Sequence, residues 1–137
     1  MSVFTRESLL AATASAHTLL PLERIHVPEL GGDLVVRGMT GTERDEFESS
    51  LTVGLGRKRR LNTVNIRARL LVKCLCDASG NRLLLDEDVD ALGKLPAKVL
   101  APLFDAAQRL SGVSDEDIDE LGKSSGKATP SDDSSST

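Results

Sequence analysis

Aromatic residues are nearly absent from this sequence. It has no tryptophan and no tyrosine, and its three phenylalanines are Phe4, Phe47 and Phe104. A core without aromatics must be built from leucine, valine, isoleucine and alanine, which suits packed helices better than a β-sandwich. The same lack argues against stacking platforms for single-stranded nucleic acid and against an interface anchored by tryptophan or tyrosine. We therefore expect a leucine-rich, mainly helical domain.

Cysteine and histidine are also scarce. Cys74 and Cys76 are the only cysteines, with one residue between them. Catalytic dithiols and zinc knuckles use two intervening residues, and a structural zinc site needs four ligands. We therefore interpret Cys74 as a small core residue and Cys76 as a residue at a helix end. His26 is interpreted as a solvated strand residue rather than a general base, because no nucleophile or carboxylate cluster surrounds it in the sequence.

Motifs of catalysis and of membrane association are missing as well. The runs DEDVD and DEDID lack the alternating ligands and central glycine of a calcium loop, so they are interpreted as helix N-termini. There is no phosphate loop, dinucleotide fingerprint or nucleophile elbow. No apolar run approaches the roughly 18 residues that span a bilayer, and no signal peptide pattern opens the chain. We expect a cytoplasmic protein that is not an enzyme, with no catalytic residue, cofactor or metal.

The charged residues are unevenly distributed along the chain. The formal net charge is −4, and acidic residues outnumber basic ones between Asp77 and Leu121. Such polarity suits steered protein contacts better than DNA binding by the whole molecule. The segment 57–73 could grip nucleic acid, steer an acidic protein or be a solvated loop; nucleic acid is the least favoured. Its charged residues are all basic: Arg57, Lys58, Arg59, Arg60, Arg67, Arg69 and Lys73.

The length and the local patterns predict one domain. We expect a helical arm over residues 1–20, a β-hairpin plus helical domain over 21–121, and a disordered tail over 122–137. The tail is predicted because it contains no apolar residue larger than Ala128. The predicted fold class is mainly α with a small N-terminal β-hairpin (α+β), with several short helices in a single domain.

The hairpin is predicted from the glycine pair at 31–32. Gly31-Gly32 reads as a two-residue turn between β-prone runs, with Leu30 opposite Asp33 and Val27 opposite Val36. Side chains alternate across a strand. That register puts Ile25, Val27, Leu34 and Val36 on one face and Arg24, His26, Val35 and Arg37 on the other.

Helix starts and ends are predicted from capping residues. Thr5 should cap a helix extending to Ala16, Thr40 and Glu43 form a capping box, and Ser114 caps an acidic helix. Asp86 should cap a short helix that ends at Gly93.

Two longer apolar patterns predict core helices. The first is capped by Asn62 or Thr63, extends past Cys76, and leaves Arg67, Arg69 and Lys73 off its apolar stripe. The second starts near Pro96, and Pro102 should kink or break it. The first stripe is Val64, Ala68, Leu71 and Leu75, widened by Leu70 and Cys74. The second is Val99, Leu103, Ala107 and Leu110, with Leu100 and Phe104 beside it.

Together, the order and spacing of these pieces resemble the tail assembly chaperones of long-tailed bacteriophages and their prophages. The similarity spans about Leu22 to Leu121. Six short motifs carry it. The first three are Val27-Pro28-Glu29 followed by Gly-Gly, Thr-Gly-x-Glu-Arg-Asp-x-Phe from Thr40, and Arg-Ala-Arg-Leu from Arg67. The other three are Asp-x-x-Gly-Asn-Arg-Leu from Asp77, Asp-Glu-Asp-Val from Asp86, and Gln-Arg-Leu-Ser-Gly from Gln108 before an acidic helix.

The resemblance implies a non-enzymatic role in phage tail morphogenesis. Members of this family bind the long helical tape measure protein, keep it soluble and help to recruit tail tube subunits. They act in the host bacterial cytoplasm and are absent from the mature virion. The expected partners are therefore the tape measure protein and the tail tube protein, with no membrane; self-association is left open. The alternative is a small nucleic-acid-binding or regulatory protein that uses the basic segment 57–73.

A chaperone of this kind has to present apolar surface to a client helix. Our hypothesis for that surface combines the two apolar stripes with the basic loop, and the alternative is that the stripes are simply core. The predicted partner-binding residues are Leu71, Leu75, Val99, Leu103, Phe104, Ala107, Arg57, Arg59 and Arg60.

Overall fold

The computed structural model describes residues 3–126, which form an α+β fold in one domain. The predicted fold class, a small β-hairpin followed by several short helices, is confirmed. The helices are α1 (Arg6–Thr13), α2 (Gly41–Ser50), α3 (Ile66–Cys74), α4 (Val89–Leu92), α5 (Ala97–Ser111) and α6 (Asp115–Gly126). The strands are β1 (Leu22–Val27), β2 (Gly32–Arg37), β3 (Thr52–Val53), β4 (Arg60–Leu61) and β5 (Leu75–Cys76).

The centre of the core is the contact between α3 and α5. Their apolar stripes face each other, and α2 adds Phe47, which is fully buried. Burying one such aliphatic or aromatic side chain contributes about 1.5–3 kcal/mol, so these helices supply most of the stabilisation. The buried apolar residues of α3 and α5 are Ala68, Leu70, Leu71, Val72, Cys74, Val99, Leu100, Leu103, Phe104, Ala106 and Ala107.

The hairpin forms with a different turn and register from those predicted. Val27 pairs with Gly32 rather than with Val36, and a 3-10 turn over Pro28–Leu30 joins the strands. Pro28 has a fixed φ that suits the start of this turn. Of the two glycines in the predicted turn, only Gly31 adopts a left-handed conformation, with φ 73°. The predicted and observed partners of Val27 are an even number of residues apart. Each side chain therefore stays on the strand face that was predicted for it, although the register is different.

A third strand extends the hairpin into a sheet of order β1-β2-β5. Leu75 pairs with Val36 and Cys76 with Val35. The prediction that the α3 helix continues past Cys76 is therefore wrong, because the free edge of β2 offers hydrogen bonds that the helix end lacks. Cys74 is a buried core residue, as predicted, whereas Cys76 lies in β5 and not at a helix end.

The start of α3 also differs from the prediction. The side chain of Asn62 accepts a hydrogen bond from the backbone of Val64, which forms a local turn instead of a helix cap. Asn65 then adopts a left-handed φ of 55°, and the helix begins at Ile66. Val64 is consequently outside the helix and 71% exposed, so its predicted place in the core stripe is wrong.

The N-terminal arm is short and lies on the surface. Thr5 caps α1 as predicted, but the helix ends at Thr13 and a 3-10 turn over Ala16–Leu19 replaces the predicted last turn. No residue of α1 is buried, and Leu9 and Leu10 are both exposed. The arm therefore adds little to the core.

The short helix after the turn at Asp77–Arg82 starts through a different residue from the one predicted. The side chain of Asp88 accepts the backbone N–H of Leu85, and a 3-10 turn over Asp86–Asp88 leads into α4. Asp86 is not the cap, because its carboxylate bonds to Lys73 and Arg82 instead.

Pro102 was predicted to kink or break α5, and it does not break the helix. The helix is continuous from Ala97 to Ser111. The hydrogen bond that proline removes would have used the carbonyl of Lys98, and both residues are exposed, so water can satisfy that carbonyl. Gly112, with φ 71°, ends the helix as a left-handed C-cap.

Helix α6 is longer than predicted. Ser114 and Asp117 form its cap, since the Ser114 hydroxyl accepts from the Asp117 backbone and the Asp117 carboxylate accepts from the Ser114 backbone. The helix continues to Gly126, whereas the sequence predicted its end near Leu121; disorder of the tail stays a prediction. The rest of the predicted tail, 127–137, lies outside the described residues.

Candidate interaction surfaces

The apolar residues predicted to bind a partner lie in the core. None of them is more than 7% exposed, and Leu71, Leu103 and Ala107 are completely inaccessible. The stripes of α3 and α5 are covered by each other, so they do not form an apolar surface on the outside of the molecule. The alternative stated above, that these residues are core, describes the observed structure. The residues concerned are Leu71, Leu75, Val99, Leu103, Phe104 and Ala107.

The basic residues of the prediction lie at the surface. Arg57, Arg59 and Arg60 are exposed at the tip of the β3–β4 hairpin, as expected of a solvated basic loop. Leu55, at the same tip, is 89% exposed. The acidic helix α6 packs against this hairpin. Binding of a partner by these arginines stays a prediction.

The rest of the basic segment does not continue that surface. Lys73 is buried, with its Nζ 3.0 Å from Glu46 Oε1 and 3.3 Å from Asp86 Oδ1. The guanidinium of Arg69 donates to the backbone carbonyls of Ser50 and Asn62, and burial lowers its pKa. The segment 57–73 therefore does not form one continuous basic face.

A buried ion pair joins β2, α2 and α3. Arg37 donates to Glu43 at 2.6 Å and to the backbone carbonyl of Lys73 at 3.0 Å, while the other oxygen of Glu43 accepts the backbone N–H of Thr40. Arg37 lies on the same strand face as His26, as predicted, but this contact with α2 and α3 buries it at the end of β2. The sequence contains one signal for the pair: the same Glu43 was identified in the capping box.

A charged cleft lies beside this pair, between α2, α3 and α4. It has a volume of about 290 Å³ and contains Lys73 with its two carboxylate partners above the apolar side chains of Val72 and Val89. Arg82 donates to Asp86 at 2.7 Å, and this bond, with help from Lys73, lowers the pKa of Asp86. The charged groups of the cleft are therefore paired with one another: Lys73 with Glu46 and Asp86, and Arg82 with Asp86.

An apolar hollow on the opposite side of α4 was missed by the sequence analysis. We call it the leucine hollow and define it by Leu84, Asp88, Ala91, Leu92 and Leu95, which line an open surface depression of about 330 Å³. The chain neighbours Leu83 and Leu85 are 53% and 63% exposed. Its lining residues follow a helical spacing in the sequence, but the periodicity does not show that this face stays uncovered.

The two cysteines and His26 each contact a different group: Cys74 the Ser111 hydroxyl, Cys76 the Val35 carbonyl and His26 the Asp33 carboxylate. Burial raises the pKa of the Cys74 thiol to about 12 and also raises that of Cys76, so both are protonated at neutral pH. His26 is exposed and bonds to Asp33 at 2.8 Å. Among residues 3–126, no group of three or more His, Cys, Asp or Glu side chains is arranged to hold a metal ion. Each helix of the described part is too short or too polar to cross a membrane.

The fold of this chain is similar to that of a solved phage tail assembly chaperone, which confirms the resemblance at the level of the fold. The solved structure that the chain matches is the bacteriophage HK97 tail assembly chaperone, with a TM-score of 0.53 and 19% sequence identity. The match covers 74% of this chain and 96% of that one. No family model and no curated protein matches the sequence.

Proposed function

We propose that this protein is a non-enzymatic phage tail assembly chaperone that binds the tape measure protein and keeps it soluble before the tail tube forms. The observation that carries the proposal is the shared fold, which extends over nearly the whole of the HK97 tail assembly chaperone. Exposed leucines outside the core, at Leu55, Leu83 and Leu85, supply apolar surface that a client helix can cover.

Co-expression tests the proposal directly. The tape measure protein of the same phage is expressed in bacteria with and without this chain, and its soluble fraction and co-purification are measured. We expect the chaperone to raise the soluble fraction and to co-purify in moderate salt. An unrelated helical protein of similar length serves as the control client. If the tape measure protein stays insoluble and unbound, the proposal is wrong.

The finer parts of the proposal have separate tests. We propose that the chaperone helps to recruit tail tube subunits and stays in the host cytoplasm. Mass spectrometry of purified virions should then detect tube and tape measure proteins but not this chain. Pull-down of tube protein should require the chaperone–tape measure complex; tube protein bound equally well without tape measure would contradict recruitment to that complex.

The nucleic-acid alternative is weakened by the distribution of the basic side chains. Lys73 forms salt bridges with Glu46 and Asp86, and the Arg69 guanidinium donates hydrogen bonds to backbone carbonyls. The exposed cluster that remains, Arg57–Arg60, is short and lies next to the acidic helix α6. A salt-dependent mobility shift with DNA would restore this alternative.

A further inference from the structure

The leucine hollow has an apolar floor and one small side chain at its edge. Leu92 is 8% exposed and Leu84 and Leu95 are half-buried, so their aliphatic side chains form the floor and walls. Ala91 is exposed on α4 and lines the same hollow. Because alanine is short, the space above this floor is left for the side chains of another molecule.

The sequence around the hollow is acidic. Asp88 is the acidic residue that lines it, while Glu87 and Asp90, close to Asp88 in the sequence, are exposed. The carboxylate of Asp88 is held in place by the Leu85 backbone N–H at 2.7 Å, and that of Asp90 by the Asn65 side chain at 3.2 Å. A carboxylate can accept several hydrogen bonds, so both can still bind a cation. The only basic residue between 86 and 95 is Lys94.

We propose that the leucine hollow is the docking site for a basic amphipathic helix of the client protein. Aliphatic residues of that helix enter the hollow, and its lysines or arginines pair with Glu87, Asp88 and Asp90. This is helix-in-groove recognition, in which charge complementarity selects the partner and steers its approach. The inference rests on the proposed function, since the client helix is taken to belong to the tape measure protein. An acidic helix is disfavoured by repulsion at the same rim.

Two synthetic peptides test the chemistry of the partner. They share one helical leucine stripe, and their polar faces carry lysine in one and glutamate in the other. Fluorescence anisotropy with the full chain should show the leucine–lysine peptide binding at least about tenfold more tightly, with an affinity that falls as salt is raised. Equal affinity for the leucine–glutamate peptide would overturn the proposal, because the acidic rim would then select nothing.

Two substitutions locate the binding at the hollow. Ala91→Lys fills the hollow and repels a basic helix, so we expect about a tenfold loss of affinity for the leucine–lysine peptide. Glu87→Lys removes a rim charge, so we expect about a two- to fivefold loss and a weaker dependence on salt. The matched controls are Ala78→Lys in the exposed turn and Glu120→Lys on α6, and both should bind like the unmodified chain.

The comparison between variants and controls decides the outcome. Circular dichroism first shows which variants fold; if Ala91→Lys does not, the pair Glu87→Lys and Glu120→Lys decides alone. Binding by a folded Ala91→Lys variant at the unmodified affinity would overturn the proposal. An equal loss in the controls would do the same, because the effect would then reflect net charge and not the hollow.

Co-expression separates this inference from the proposed function. If the unmodified chain solubilises the tape measure protein and Ala91→Lys does not, both hold. If both solubilise it equally, the hollow is not the docking site although the chaperone function stands. If neither solubilises it, but the leucine–lysine peptide binds the unmodified chain and not Ala91→Lys, the hollow is a site for basic helices and the proposed function is wrong.

Discussion

At the scale of single residues, the most constrained side chain is Arg37. Its guanidinium is buried at the end of β2 and bonds to the Glu43 carboxylate and to the last part of α3 through the Lys73 carbonyl. A buried ion pair of this kind holds elements in one arrangement, and removing one partner leaves a buried charge without compensation. The position of α2 against the sheet therefore depends on a pair of residues six apart in sequence.

Removing the charge of Arg37 should destabilise the fold strongly. Arg37→Met leaves the largely buried Glu43 side chain without its partner, so we expect the free energy of unfolding to fall by about 3 kcal/mol. The double variant Arg37→Met/Glu43→Gln keeps the acceptor for the Thr40 backbone N–H and removes the unpaired carboxylate, so it should be more stable than the single variant. Urea denaturation measures both. Equal stabilities for the single and double variants would show that the pair is not coupled.

Asp86 should contribute to the pH dependence of stability. Arg82, and after it Lys73, lowers the pKa of its carboxyl in the folded chain, whereas the unfolded value is about 3.9. A lowered folded pKa gives stability that is present above pH 4 or so and is lost as the pH falls through the folded pKa. Asp86→Asn should therefore melt below the unmodified chain at pH 7, and the difference should shrink in acid. A difference that does not change with pH would contradict this.

At the scale of secondary-structure elements, the ends of the helices depend on local geometry. Gly112 ends α5 with φ 71°, and a Cβ added there would meet no atom within 4 Å. A substitution at this position thus tests backbone strain alone. The adjoining cap of α6 by Ser114 is equally local, which explains why both boundaries can be predicted from the sequence.

Gly112→Ala should cost about 1 kcal/mol, because an L-residue is strained in the left-handed region. The matched control is Gly41→Ala: Gly41 lies in the first turn of α2, has ordinary helical backbone angles and also has open space around its Cα. We expect the control to be neutral or slightly stabilising, since alanine favours a helix. Thermal denaturation of the two variants gives the comparison, and an equal effect in both would exclude left-handed strain as the cause.

The helix caps predicted from local signals are correct at Thr5, Thr40 and Ser114 but wrong at Asn62 and Asp86. Long-range pairing explains the wrong predicted end of α3. The Thr40–Glu43 box joins residues three apart, so its chemistry is visible in the sequence. Leu75 fits the α3 stripe equally well, but it lies in β5 because β2, far away in sequence, offers it a strand partner. The stripes likewise identified buried residues, yet periodicity cannot say whether the covering partner is the same chain or another. The residues of the leucine hollow also follow a helical spacing, but only the packing shows that this face stays open.

At the scale of the whole molecule, the two cysteines should report global unfolding. Both thiols are inaccessible between β2, α3 and α5, and burial raises the pKa of Cys74 to about 12. The thiolate is the reactive form. In the folded chain at pH 8 a disulfide reagent cannot reach either sulfur atom, and the thiols are protonated. We expect reaction at the global unfolding rate, accelerated in urea and without a fast phase. Because Arg37→Met weakens the same core, the cysteines of this variant should react faster than those of Gly41→Ala. A fast phase for one thiol in the native chain would show instead that β5 opens independently of the α3–α5 core.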